Sequence, residues 1–383
     1  AKASFAQPLD VLAGTFFFAE TTGAPPRELV AAHAGGAFVY GCGPGGLNLL
    51  ESPKFFSLLP SGSKEPLFIE NGAMDLDGDG VDEWLVPVPT GYDLRNGAKR
   101  VALAPCDVVS EIRQTGSMYV THRLPAYHEF QLEGEAWKGL VFLSDEYADF
   151  VWGPNWEQRK RFEVPLDLED KWEAAARMAD VDGNGFPDLM VTQTKGTVNL
   201  EAVTQVYVSS GPFTYPEEPS VTLVSKGSMA APTMVDVDGD GKQDIVVISV
   251  PFGIKNFMNL FLRNKVSATV HVYLFADGGF PDSPDYKTSL TLQAPEGREQ
   301  IAYGLGDFDG DGRLDVAFGR EKDTFVVHLG EEDEFLSDKP WATLKLPAFG
   351  RARTLDLNGN KGKDLVIYHP AVDNSKRIEV VVF

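Results

Sequence analysis

The segment DVDGDGKQDIVVIS, residues 236–249, decides the fold, because an acidic loop runs directly into an apolar strand. The same pattern, D-x-D/N-G-D/N-x-x-x-D/E followed by an apolar run, begins again at Asp75, Asp180, Asp307 and Asp356. The residues after each loop are mainly β-branched or aromatic, which favours β-strands. Five copies of one loop–strand unit therefore predict an all-β repeat architecture.

The loops carry oxygen side chains at positions 1, 3, 5 and 9 and, in four copies, glycine at positions 4 and 6. Alternate positions of a tight loop can converge on one point, and Ca²⁺ takes six to eight hard oxygen ligands. Closely spaced carboxylates without a cation would repel one another. The predicted Ca²⁺ ligands, with the backbone carbonyl at position 7, are Asp75, Asp77, Asp79, Val81, Glu83, Asp180, Asp182, Asn184, Phe186, Asp188, Asp236, Asp238, Asp240, Lys242, Asp244, Asp307, Asp309, Asp311, Arg313, Asp315, Asp356, Asn358, Asn360, Gly362 and Asp364.

An EF-hand loop begins in a similar way but requires a bidentate Glu at position 12 and a helix on each side. Position 12 holds Val86, Val191, Val247, Phe318 and Ile367 in the five copies. We therefore interpret the loops as strand–loop–strand calcium sites. The alternative is a set of acidic turns without metal.

The copy at Asp356 departs most from the pattern. It has only two carboxylates, with Asn358 and Asn360 at positions 3 and 5, and it carries Lys361 where the other copies have glycine. We expect the weakest of about five Ca²⁺ sites here, and the sequence leaves open whether this loop holds an ion.

The loops begin 105, 56, 71 and 49 residues apart, so the first interval has room for one more unit. Residues 131–153 fit a degenerate copy with Gly139 in place of the last carboxylate, and residues 20–41 fit a second. Neither is expected to bind calcium well. Seven units of four short strands predict a seven-bladed β-propeller as a single domain over residues 1–383.

The last unit lacks a fourth strand before the chain ends. Residues 5–11, FAQPLDV, precede the first unit and are predicted to supply that strand. Such a pairing closes the ring and removes two exposed strand edges.

The five loops and their period resemble the FG-GAP/VCBS repeat family, whose best-known relative is the propeller of integrin α subunits. Clear FG and GAP phrases are missing around the loops, so the likeness is nearer to bacterial secreted VCBS-type proteins. The resemblance implies a β-propeller that binds calcium in its loops through the residues named above. It does not imply an integrin-like partner.

Composition restricts the environment and the partners. The formal net charge is −22, which disfavours nucleic-acid binding. No stretch of 18 apolar residues predicts a transmembrane segment. The chain begins AKAS, as after removal of a signal peptide, and low-affinity calcium loops suit millimolar calcium. We therefore expect a secreted, periplasmic or cell-surface protein, and leave open whether Cys42 and Cys106 are bonded.

Residues 251–266 interrupt the Asp236 unit and are predicted to form an inserted amphipathic helix. Ile254, Phe257, Met258 and Phe261 follow the spacing of one helical face. This face either packs on its own domain or docks a partner.

The pattern predicts a binding, adhesion or assembly module in which Ca²⁺ is structural and the ligand is a protein or a glycan. No HExxH or GxSxG motif is present, so the sequence names no catalytic residue. The alternatives are a lectin and a carbohydrate-active enzyme such as a polysaccharide lyase, because fold alone does not exclude either.

Overall fold

A computed structural model describes residues 3–8, 15–43, 46–60, 67–115, 117–144, 146–164, 173–195, 201–226, 232–249, 265–293, 301–369 and 377–383. Within these ranges the chain forms strands β1 to β31 and no helix. None of these residues belongs to a helix long and apolar enough to cross a membrane. The strands form seven sheets, called blades 1 to 7 in chain order, and one separate hairpin.

Tertiary contacts divide the chain into two compact units, and residues 9–164 form one of them. It holds blades 1 to 3 and a two-stranded hairpin. Blade 1 contains β2 (Thr15–Ala19), β3 (Glu28–His33), β4 (Gly36–Gly43), β5 (Gly46–Glu51) and β6 (Leu67–Phe68). Blade 2 contains β7 (Ala73–Met74), β8 (Glu83–Val88), β9 (Gly91–Asn96) and β10 (Lys99–Pro105). The hairpin is β11 (Val109–Thr115) with β12 (Ser117–Arg123), and blade 3 contains β13 (Ala126–Phe130), β14 (Gly139–Leu143), β15 (Tyr147–Trp152) and β16 (Gln158–Glu163).

The other unit combines residues 1–8 with residues 165–383. Blade 4 contains β17 (Glu173–Ala179), β18 (Asp188–Lys195), β19 (Glu201–Tyr207) and β20 (Val221–Lys226). Blade 5 contains β21 (Thr233–Val235), β22 (Asp244–Ser249), β23 (Lys265–Tyr273) and β24 (Tyr286–Gln293). Blade 6 contains β25 (Tyr303–Gly306), β26 (Asp315–Glu321), β27 (Thr324–His328) and β28 (Ala342–Leu344). Blade 7 contains β29 (Arg351–Leu355), β30 (Asp364–His369), β31 (Arg377–Val382) and β1 (Ala3–Pro8).

The fold is a seven-bladed β-propeller, as the loop spacing predicts. Antiparallel pairing joins the consecutive strands of each blade, except that β6 pairs in parallel with β2 at the edge of blade 1. The repeated loop always lies between the first and the second strand of its blade. The two degenerate copies prove to be blades 1 and 3, so the long first interval does contain an extra unit.

The second strand of each blade is buried along most of its length, because apolar side chains on both of its faces are covered. In β8 all six residues are buried, and in β14 all five are. The cores lie between consecutive blades of a unit. One joins Val30 of blade 1 to Trp84 of blade 2, and another joins Val246 of blade 5 to Phe318 of blade 6. Burying each such side chain contributes roughly 1.5–3 kcal/mol.

The N-terminal strand completes blade 7, as predicted. β1 pairs antiparallel with β31, and Phe5 lies opposite Val380 in the register. The described strand spans Ala3–Pro8, so it begins two residues earlier than the predicted segment 5–11, whose last three residues lie outside the described ranges. This pairing gives blade 7 its fourth strand from the opposite end of the chain.

The inserted segment is only partly described. Ile254, Phe257, Met258 and Phe261 lie outside the described residues, so the helix stays a prediction. Its predicted end at residue 266 is wrong, because Lys265 and Val266 already belong to β23. Their pairing with Gln293 and Leu292 of β24 extends the sheet further than the sequence pattern indicates. Both cysteines are free thiols.

Candidate metal centres

The first carboxylate of each acidic loop organises the loop backbone. In the Asp236 loop, Asp236 accepts the amide of Gly239 at 2.8 Å and that of Gly241 at 3.0 Å, one on each oxygen. The Asp75 and Asp307 loops repeat both hydrogen bonds. Both glycines of the Asp236 loop have positive φ angles, +81° and +85°, which other residues adopt at a cost. The glycine spacing therefore sets the curl of the loop.

The carboxylates at positions 3 and 5 are oriented by amides two residues further along. Asp238 accepts the amide of Asp240 at 3.2 Å, and Asp240 accepts the amide of Lys242 at 2.9 Å. Asn184 takes the role of Asp240 in the Asp180 loop and accepts the amide of Phe186 at 2.7 Å. These bonds hold the side chains before any ligand is present.

The carboxylate at position 9 is the buried member of each loop. Asp244 accepts the amide of Val237 at 2.8 Å on one oxygen and the amide of Phe275, at the end of the third strand, at 2.8 Å on the other. Asp188, Asp315 and Asp364 make the same pair of bonds in their own blades. Glu83 accepts the amide of Leu76 at 3.0 Å. This side chain thus ties the loop to the sheet behind it.

Burial raises the pKa of these carboxyl groups, and the neighbouring carboxylates raise it further against the lowering effect of the amide hydrogen bonds. The pKa is about 6 for Asp188, Asp244 and Asp315 and about 7 for Glu83. It is also raised for Asp364. A group that ionises reluctantly for these reasons is stabilised as an anion by a nearby cation.

Four loops bring three carboxylates together. In each, one oxygen from every member lies within 4.8 Å of the others. The clusters are Asp75 with Asp77 and Glu83, Asp180 with Asp182 and Asp188, Asp236 with Asp238 and Asp244, and Asp307 with Asp309 and Asp311. Among the described residues, three of the sequence-predicted carboxylates therefore converge in each of these four loops, and Asp79, Asp240 and Asp315 are predicted ligands that the clusters do not include.

The donor set fits a hard divalent cation. All cluster members are carboxylates, and the Asp180 loop leaves one of their oxygens, Oδ1 of Asp180, buried without a hydrogen-bond partner. A buried, unpaired carboxylate oxygen is costly, and a cation at the centre of the cluster would satisfy it. The position-7 residues Val81, Phe186, Lys242 and Arg313 donate their amides to the position-5 side chains. Their carbonyls, and that of Gly362, stay predicted ligands.

The Asp356 loop places a different group beside its buried carboxylate. The side-chain amide of Asn358 donates to both oxygens of Asp364, at 3.4 Å and 3.3 Å, where the other loops place a third carboxylate. Asn360 donates to the carbonyl of Phe383 at 3.3 Å, and Lys361 adopts a φ of +74° at the usual glycine position. A neutral donor therefore faces the buried carboxylate of this loop.

Blade 1 reproduces the loop with other chemistry. Glu20, at position 1, accepts the amides of Thr22 and Ala24 at 3.1 Å and 3.0 Å, and Glu28, at position 9, accepts the amide of Thr21 at 3.1 Å. The loop itself engages one oxygen of each carboxylate, Oε1 of Glu20 and Oε2 of Glu28. The loop conformation therefore forms in blade 1 without the Asp-Gly repeat.

Blade 3 shows why the last carboxylate is missing there. A Cβ atom at Gly139 would lie 2.3 Å from the ring of Phe130, which is buried. The aromatic ring occupies the place that a position-9 side chain would need. The sequence shows the glycine but not the ring that requires it.

The loops are also bonded to one another, which sequence reasoning missed. In each case the amide of a position-8 residue donates to the carbonyl of position 1 or 2 in the preceding loop. These inter-loop hydrogen bonds run from Asp82 to Glu20 at 2.8 Å and from Lys138 to Leu76 at 2.8 Å in one unit, and from Gln243 to Val181 at 2.7 Å, from Leu314 to Val237 at 3.0 Å and from Lys363 to Asp307 at 2.5 Å in the other. Position 8 of the Asp180 loop is Pro187, which has no amide hydrogen.

Close backbone approach accompanies these bonds. A Cβ atom on Gly239 would lie 2.6 Å from the carbonyl oxygen of Gly312 in the next loop, and one on Gly183 would lie 3.2 Å from that of Gly241. In the Asp236 loop, and less tightly in the Asp180 loop, the position-4 glycine therefore allows close contact with the neighbouring loop in addition to its own φ angle, whereas Gly78 and Gly310 have open space around a Cβ position.

These sheets and loops define the class of protein, a β-propeller whose acidic loops form candidate cation sites. Residues 180–247, which include the Asp180 loop and the Asp236 loop, match the model of the FG-GAP-like repeat. This match, within a seven-bladed β-propeller, is consistent with the FG-GAP family that the loop pattern indicates.

Among solved structures, the chain is similar to BBS1N in its complex with ARL6DN, in a crystal soaked with lead, with a TM-score of 0.44 and 12% identity over 99% of this chain and 95% of that one. It is also similar to AofleA from Arthrobotrys oligospora, with a TM-score of 0.33 and 10% identity over 95% of this chain and 82% of that one. No curated protein matches the chain.

Two glycine substitutions distinguish the energetic cost of a positive φ angle in the loop from the cost of disturbing the contact between neighbouring loops. Gly241→Ala should lower the free energy of unfolding by about 1–2 kcal/mol, because Gly241 has positive φ but open space around its Cβ position. Gly239→Ala carries the same conformational cost and also meets the Gly312 carbonyl, which should add roughly 1–3 kcal/mol. Urea unfolding of both variants measures the difference, and equal losses would show that the contact contributes nothing.

The raised pKa values predict how pH acts on the metal-free protein. Between pH 4.5 and about 7, folded Glu83 holds a proton that the unfolded chain has released, so stability falls as pH rises through this window. In EDTA the melting temperature should therefore decrease from pH 5 to pH 7.5. Glu83→Gln keeps an acceptor for the Leu76 amide and should make that decrease smaller. An unchanged pH profile in this variant would contradict the assignment.

Proposed function

We propose that the four carboxylate clusters hold Ca²⁺ and that the ion stabilises the propeller. Asp75, Asp180, Asp236 and Asp307 begin the four loops, and the cluster members named above would supply the side-chain ligands. When bound, Ca²⁺ supplies positive charge between carboxylates that otherwise repel. The chain's own residues orient these carboxylates through backbone amides in advance.

The observation that carries this proposal is the convergence of three carboxylate oxygens within 4.8 Å in each of four loops. An all-oxygen set suits Ca²⁺, whereas Zn²⁺ prefers sulfur and nitrogen ligands. Mg²⁺ demands near-ideal octahedral geometry and keeps several waters, so a ligand set from one short loop favours the larger ion.

The FG-GAP propeller fold supports a binding or assembly module in general. For this chain we propose adhesion or assembly through a protein or glycan ligand, in a secreted, periplasmic or cell-surface setting. A net charge of −22 supports a partner other than nucleic acid. The loops are short and their positions 4 to 6 are exposed, which supports weak sites that fill where calcium is near millimolar.

Calcium titration tests the proposed ion. Isothermal titration should detect four Ca²⁺ ions per chain, one for each carboxylate cluster. Each site in hundredfold excess of calcium over its Kd stabilises the fold by about 2.7 kcal/mol, so excess EGTA should lower the melting temperature strongly. Equal concentrations of Mg²⁺ serve as the control and should have a much smaller effect.

One substitution sharpens this test by gaining a site. Asn358→Asp replaces the amide that faces Asp364 with a third carboxylate, and it should add one bound Ca²⁺. No calcium binding by the unmodified chain would refute the proposal. Kd values in the nanomolar range would argue against the extracytoplasmic setting.

The ligand class is tested separately on a glycan array, with the calcium-loaded protein and analysis of the released sugars. Retained glycan without products is the result expected of a lectin-like module. Release of cleaved sugars would support a carbohydrate-active enzyme instead. Absence of glycan binding would direct the search to protein partners.

A further inference from the structure

Backbone hydrogen bonds connect the candidate cation sites of the Asp180, Asp236 and Asp307 loops. The amide of Gln243 donates to the carbonyl of Val181 at 2.7 Å, and the amide of Leu314 donates to that of Val237 at 3.0 Å. Each donor lies between positions 7 and 9 of its own loop, and each acceptor directly follows position 1 of the preceding loop. A single hydrogen bond thus connects the ligand-bearing backbone of two neighbouring sites.

These inter-loop bonds join segments that have little freedom to move independently. On its own loop, Val181 donates to the buried carboxylate of Asp188 at 2.7 Å, and Val237 donates to that of Asp244 at 2.8 Å. The residue whose carbonyl accepts the inter-loop bond therefore also donates its amide to the buried carboxylate of its own loop. Close contact between Gly239 and the Gly312 carbonyl adds a second point of attachment.

We propose that these three sites bind cations cooperatively, because ordering of one loop by its ion prepares the neighbouring loop for the next ion. The inference rests on the proposed calcium binding. A loop that is already held by its neighbour loses less conformational entropy when it takes an ion, which is a coupling free energy between sites.

The Asp75 loop is a candidate cation site that has no hydrogen bond to another such site among the described residues, so it serves as an internal comparison. The Asp75 loop is bonded to the Glu20 loop through Asp82 and to the blade 3 loop through Lys138. Neither of these two neighbours carries a carboxylate cluster of the kind seen in the four loops. An ion in the Asp75 loop therefore has metal-free loops as hydrogen-bonded neighbours and should bind on its own.

Proline at position 8 offers a specific way to remove one link. Pro187 occupies this position in the Asp180 loop, which keeps the bond from the amide of Gly185 to Asp180 at 2.9 Å and the bond from the amide of Val181 to Asp188 at 2.7 Å. Gln243→Pro should therefore preserve the Asp236 loop while deleting its inter-loop donor. Gln243→Ala keeps the amide hydrogen and is the matched control.

The experiment titrates calcium into the full chain and four variants, with isothermal titration for stoichiometry and a chromophoric chelator for affinity. Asp238→Asn keeps an acceptor for the Asp240 amide but removes one charge from the central site. It should lose one ion and weaken the two flanking sites about fivefold, the lower end of typical coupling. Asp77→Asn should also lose one ion, with the remaining affinities unchanged within about twofold.

Gln243→Pro should retain every ion and lower the Hill coefficient, whereas Gln243→Ala should match the unmodified chain. Equal and negligible effects of Asp238→Asn and Asp77→Asn on the remaining sites would overturn the cooperativity and leave the calcium proposal standing. If the unmodified chain binds no calcium, both proposals fail. Should Gln243→Pro not fold, the two Asp→Asn variants still decide the question.

Discussion

The structure depends on one buried carboxylate in each acidic blade. Asp244 shows its role, since one oxygen holds the start of the acidic loop at Val237 and the other holds the end of the third strand at Phe275. Removing this carboxylate would free both segments at once. Burial raises its pKa to about 6, so the anion that makes these bonds is also destabilised by its surroundings.

The blades differ in three ways in the groups that surround or replace the buried carboxylate of the loop. Four loops gather three carboxylates around one point, and we propose that a cation offsets their repulsion. The Asp356 loop turns the amide of Asn358 toward Asp364, and blade 1 directs two backbone amides to one oxygen of Glu20. Blade 3 dispenses with the group, because the ring of Phe130 fills its place beside Gly139. One backbone conformation is thus compatible with charged, neutral and apolar solutions, and the blades do not all need metal.

Much of this could be predicted because the decisive residues are close in the chain. The nine-residue loop and its following strand contain their own turn glycines, acceptors and apolar side chains, so blades 2, 4, 5, 6 and 7 were recognisable individually. Blades 1 and 3 followed from spacing. The end of the insertion was predicted wrongly, since β23 begins at Lys265 through pairing with Gln293, a partner 28 residues away. Local periodicity carries no information on that pairing.

By itself the sequence determined the number of blades, the position of each acidic loop and the N-terminal strand that completes blade 7. These features follow from short-range patterns that repeat along the chain. Only the tertiary structure decided that position-8 amides bond to the preceding loop, that Gly239 approaches Gly312, and that Phe130 excludes a side chain at residue 139. Every residue except proline has the same backbone donor and acceptor. The partners of these groups therefore depend on how the blades pack, and the loop sequence does not indicate them.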